Sequence, residues 1–133
     1  MIVGSELLVI VGLCSVALGG ISGFALLAAV DAPESLRRLG VVDPRRVQQL
    51  HLDWIIMGCV IGFVGLAVPT LPDWLSIPAA LGGIINPLTF LPMAFSKSIA
   101  ATGWFKLVSF VSFCSLCLGL VGACVWQIAT LVG

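Results

Sequence analysis

The chain has 133 residues, 60% of them hydrophobic, with six cations, six anions and no net charge. A soluble domain is usually about 45–50% apolar and about 25% charged, and a small one leaves much of its surface in water. This composition excludes an ordinary soluble enzyme, a disordered tail and a nucleic-acid binder, and makes the lipid bilayer the first expected partner.

A bilayer crossing takes about 20 apolar residues. Four such segments predict an all-α integral membrane protein, a four-helix transmembrane bundle forming one domain over residues 1–133. The spans fall at residues 2–30, 51–71, 74–95 and 104–131. Residues 31–50 read as a polar loop, 72–73 as a tight Pro-Asp turn and 96–103 as a short link. No internal repeat or low-complexity tract interrupts this layout.

The first span lacks a basic leader, and its apolar run exceeds a signal peptide's core, so it reads as a retained span. Gly12, Gly19 and Gly23 form a small-residue stripe along it. Such stripes let helices approach closely in lipid, where no hydrophobic force draws them together. Glu6, one turn in, reads as a carboxylate snorkelling to the outer surface.

All the cations fall at one end. Arg37, Arg38, Arg45 and Arg46 lie in the first loop, and Lys97 and Lys106 flank the third. The positive-inside rule then puts these loops in the cytoplasm, both termini outside, and the chain in the inner (plasma) membrane.

His51, the single histidine, opens the second span. Gly58, Gly62 and Gly65 follow on the same helical face, so the imidazole points toward a surface built for close approach. An ionisable group at membrane depth is a functional candidate, and an interfacial histidine bonded to a loop carbonyl is the plainer alternative. Zinc is disfavoured, since it wants three or four ligands and no second histidine exists. A haem takes one protein ligand and keeps its sixth position open. Asp53 lies about 200° round from His51, toward another helix or the headgroups. Trp54, one turn on, either stacks near a cofactor ring or sits at the lipid interface.

The third span carries Pro78 near its start and Pro87 and Pro92 well inside. An interior proline removes a donor and excludes the carbonyl four residues earlier. A kink is therefore predicted, with the Gly83 carbonyl freed and Asn86 adding an amide beside it. Such a kink is either satisfied by neighbouring helices or lines a pocket.

The fourth span has a small-residue stripe of Ser112, Ser115, Gly119 and Gly122. Cys114 and Cys117 make a C-x-x-C, a thiol-redox signature. No loop cysteine is present to relay electrons. Cys114, Cys117 and Cys124 share one face, which suits helix packing.

The run Asp43-Pro44-Arg45, five residues, then His51-Leu52-Asp53 and Gly58 resembles the small four-helix membrane isomerases typified by hydroxylaminobenzene mutase and styrene oxide isomerase. The resemblance covers residues 43–66 and the hydropathy layout. It implies a homotrimer with haem b at subunit contacts, His51 as the axial ligand of the iron, and a Lewis-acid isomerisation of a small apolar epoxide or related N-hydroxylated substrate to a carbonyl. Arg45 and Arg46 would face the haem carboxylates, with Trp54 near the ring. Asn86 and Met57 would shape the distal, catalytic side. Two departures stand out: Met57 occupies a position where the family usually has asparagine, and the chain has no tyrosine, which the family uses to orient substrate. Both also fit a non-catalytic accessory subunit of the same fold. A thiol-redox protein is the third expectation.

Overall fold

The computed structural model describes residues 4–132. They are all-α, with four helices long and apolar enough to cross a membrane. Helix α1 spans Gly4–Asp31, α2 Pro33–Arg38, α3 Pro44–Ala67, α4 Asp73–Leu88, α5 Phe90–Phe95 and α6 Gly103–Val132, with a 3-10 turn at Ile99–Ala101. Helices α4 and α5 together form the third span.

The first loop is more ordered than its polarity predicts. Pro33 at the first turn and Arg37 and Arg38 in the last suit the helix dipole of α2. Gly40 ends it at φ 90°, where a side chain would be strained. The amides of Gly40 and Val41 bond back to the carbonyls of Arg37 and Leu36, the Schellman pattern. Val41 and Leu36 are then buried together with Val47 and Ala94.

Helix α3 starts seven residues earlier than hydropathy predicts. Asp43 caps it by accepting from the Arg45 amide at 3.2 Å, and Pro44 takes the first position, where no amide is needed. Its first two turns are polar, which hides them from a hydropathy reading. At the other end α3 stops at Ala67 rather than residue 71. Val68 precedes Pro69 and leaves the helical region, at φ −125° and ψ 73°, because a following proline disfavours helical backbone. The second connection is therefore residues 68–72, longer than the two-residue turn expected.

The third span breaks as predicted, one turn later than Pro87 alone suggests. The interruption falls at Thr89, between α4 and α5. Pro92 excludes the carbonyl of Leu88, four residues before it, so the break sits where that bond would have formed. Thr89 Oγ1 donates to the Asn86 carbonyl at 2.7 Å and closes the turn.

Two helix pairs carry the packing, α1 with α3 and α4 with α6. In the first, backbone meets backbone. A Cβ on Gly12 would sit 2.6 Å from the Gly62 Cα and 2.7 Å from the Gly58 carbonyl oxygen. A Cβ on Gly65 would sit 2.6 Å from the Ser5 carbonyl oxygen. In the second pair Gly119 lies against Ala79, Gly122 against Leu75, and Gly82 against Leu116. Ser112 and Ser115 donate to the carbonyls of Gly82 and Pro78 at 3.2 and 2.9 Å. The pairs meet through α4, around a core of Leu8, Ile61, Leu71, Leu75 and Ala79. Helix α6 packs mainly on α4, so most of its circumference is open.

The glycines should therefore divide by contact. Gly12→Ala is expected to destabilise the fold by about 1–3 kcal/mol, because the clashing neighbours are backbone. At Gly20 a Cβ meets nothing within 4 Å, so Gly20→Ala should be neutral or gain about 0.5–1 kcal/mol. Unfolding by a denaturing detergent in mixed micelles, followed by circular dichroism, measures both.

Candidate functional site

The glycine contacts of α1 and α3 run as an antiparallel ladder. Ser5 meets Gly65, Gly12 meets Gly58 and Gly62, Gly19 meets Ile55, and Gly23 meets His51. His51 is the last rung, about 10 Å into α3 at 1.5 Å per residue. Its ring lies beside Gly23, where a Cβ would be 3.4 Å from Cε1. The face that His51 shares with Gly58, Gly62 and Gly65 is the one that meets α1, and beside the ring itself lies Gly23 of α1.

His51 Nδ1 lies 2.8 Å from the Gly19 carbonyl oxygen. A carbonyl only accepts, so Nδ1 carries the proton in this contact. In the neutral ring Nε2 is then left with its lone pair. Ser22 Oγ donates to the same carbonyl at 2.8 Å and stands 3.3 Å from Nδ1. Of the two readings open from sequence, a carbonyl bond does form, but with a membrane helix instead of a loop. Metal-binding histidines commonly donate their second nitrogen to a carbonyl in this way, so the two readings are compatible. Ser22 was not singled out by the sequence. Its spacing three residues after Gly19 and next to Gly23 was the available signal.

The other flank of α3 holds a second polar contact. Asn86 Nδ2 donates to Asp53 Oδ2 at 3.2 Å, which joins α3 to α4 just before Pro87. Asp53 therefore faces a helix and not the headgroups. Asn86 is hydrogen-bonded to Asp53, and Met57 packs on the central core. Trp54 is only 6% exposed, so the lipid-interface alternative is corrected: it is a buried side chain.

The arginines also separate. Arg45 is exposed. Arg46 is drawn toward Asp43, with Nε 3.5 Å from Oδ2, and a second guanidinium nitrogen donates to Gln49 Oε1 at 2.6 Å. Five residues of helix put Arg46 about 140° round from His51.

All five cysteines are free thiols and exposed. The expectation that Cys114, Cys117 and Cys124 pack within the bundle is thereby corrected, because α6 buries only its α4 face. Glu6 is exposed and lines a surface groove of about 480 Å³ between α1 and α3 with Val9, Gly65 and Pro69. Among the described residues no group of three or more His, Cys, Asp or Glu is placed to hold a metal. A one-histidine haem ligand requires no such group. Among the described residues, His51 does not line the grooves bordered by Trp74, Pro92, Glu6 and Gly58 or the cavity bordered by Lys97. Comparison with protein-family models, curated proteins and solved structures finds no match for this chain.

The Asp53–Asn86 contact can be weighed by a double-mutant cycle. Asp53→Ala and Asn86→Ala should couple by about 0.6 kcal/mol, and by no more than about 1.7, in detergent unfolding. Additive losses would show that the two side chains do not meet.

Proposed function

We propose that the chain is a haem-binding membrane isomerase in which His51 Nε2 would hold the iron. One observation carries the reading: the Nδ1 contact with Gly19, which commits that nitrogen to a carbonyl and leaves the other as a donor to iron. The resemblance around residues 43–66 supplies the cofactor and the reaction class. When bound, ferric haem supplies a Lewis acid for opening a small apolar epoxide, or a related substrate, to a carbonyl.

The chain's own residues do the rest. The Gly19 carbonyl orients the imidazole, and Ser22 donates to that same carbonyl. Gly23 leaves the ring its space. Arg45, exposed and one to two turns before His51, is the arginine we assign to a haem carboxylate, since Arg46 is engaged by Asp43 and Gln49. Trp54, buried and one turn after His51, is the aromatic side chain this reading assigns near the ring. Asn86 and Met57 belong in this reading to the distal side. Asn86 is turned to Asp53 and Met57 to the core, so a substrate pocket combining them with His51 requires a contact between copies, in the trimer that the resemblance implies. In the membrane the basic loops face the cytoplasm and both termini the outside.

An accessory subunit without catalysis is the second reading, favoured by Met57 and by the lack of tyrosine. Purified from haem-replete cells in mild detergent, the protein should show a Soret band that His51→Ala abolishes. A colourless wild type would overturn the haem assignment. Conversion of an aryl epoxide to aldehyde by the haem-loaded protein distinguishes the isomerase from the accessory subunit.

A further inference from the structure

The basic end of the bundle holds a cavity of different character from the apolar grooves elsewhere. It measures about 240 Å³ and is lined by Asp43, Arg46, Met93, Ser96, Lys97 and Ala100. Its walls come from distant parts of the chain, and backbone bonds fix them together. The amides of Val42 and Asp43 both donate to the Ala94 carbonyl, at 2.8 and 3.1 Å. That seats the start of α3 against the end of α5. Arg46 then approaches from one side and Ser96 and Lys97 from the other.

The charges in the cavity are two cations and one anion, Arg46 and Lys97 against Asp43, a net of +1. The Asp43 carboxylate is committed: Oδ1 caps α3 and Oδ2 faces Arg46. Among the described residues Lys97 forms no ion pair. Ser96 Oγ lies 3.1 Å from Ser98 Oγ and adds a hydroxyl to the wall. With Arg46 paired to Asp43, the charge left over is that of Lys97, and an ammonium beside a serine hydroxyl matches a group of single negative charge with several acceptor oxygens. Met93 and Ala100 give the same cavity an apolar side.

We infer that this cavity binds a phosphodiester, the headgroup phosphate of an anionic phospholipid. Basic pockets between membrane helices at the bilayer surface take lipid headgroups by this chemistry. One negative charge neutralises the cavity, whereas a phosphate dianion leaves an excess. The assignment puts the lipid beside Lys97, with the Arg46–Asp43 pair as the wall of the site on the flank of α3 away from His51, and stands whether or not the chain binds haem.

The test uses the full chain in mild detergent, supplemented with phosphatidylglycerol, phosphatidylcholine or inorganic phosphate. Thermal midpoint and lipid retention in native mass spectrometry are the readouts. Phosphatidylglycerol should raise the midpoint and remain bound, and phosphatidylcholine should do neither. Lys97→Gln should weaken retention about fivefold, the effect of about one charge near the surface. Arg37→Gln with Arg38→Gln, which removes two loop charges outside the cavity, should leave retention unchanged. Equal retention of the two lipids, an unaffected Lys97→Gln, or an equal loss in the Arg37/Arg38 variant would overturn the site. Stabilisation by inorganic phosphate alone, lost in Lys97→Gln, would keep the phosphate cavity and replace the lipid with a soluble source.

Discussion

The fold depends on the backbone contact between α1 and α3. Lipid tails solvate apolar side chains as well as a neighbouring helix does, so apolar area alone does not bring two spans together. Gly12, Gly58 and Gly62 remove the side chains that would hold the backbones apart, and dispersion and weak Cα–H contacts then act over the whole length. The same contact sets the register. Once Gly12 lies on Gly58 and Gly62, Gly19 is opposite Ile55 and Gly23 opposite His51. The Gly19 carbonyl meets the imidazole because the glycine ladder delivers it there.

From that contact the polar residues of α3 fall into separate roles. His51 looks toward α1 and bonds a carbonyl. Asp53 looks toward α4 and bonds Asn86. Arg46 looks toward the end of α5 and borders a charged cavity. Three flanks of one helix thus carry three kinds of chemistry, in a protein with only 12 charged residues. The proline break at Thr89 ends α4 beside Asn86, and the Ala94 carbonyl of α5 accepts from the Val42 and Asp43 amides of the loop that caps α3.

Much of this was legible in the sequence, for identifiable reasons. Apolar length gave the four spans, and proline chemistry gave the break in the third. The small-residue stripes gave the contact faces of α1, α3 and α6. The start of α3 was not legible from hydropathy, because Arg45, Arg46, Gln48 and Gln49 make its first turns polar. Asp43 and Pro44 were the local signal for it. The partner of His51 depends on register between two helices distant in the chain, which no local pattern encodes. The cysteines of α6 illustrate the same limit: sharing a face is a property of the helix, but whether that face is covered depends on where the other helices lie.

The proposed iron ligand depends on the protonation of one ring. The chain has a single histidine, so its nitrogens can be observed without ambiguity by ¹⁵N NMR of haem-free protein in detergent micelles. At a pH where the ring is neutral, the expected result is the tautomer protonated at Nδ1, with Nε2 showing the shift of an unprotonated nitrogen. Replacing the helix contact by Gly23→Leu should move the ring and lose that preference. A wild-type ring protonated at Nε2 would contradict the account, because the Gly19 carbonyl could not then be its acceptor and the nitrogen assigned to iron would carry a proton.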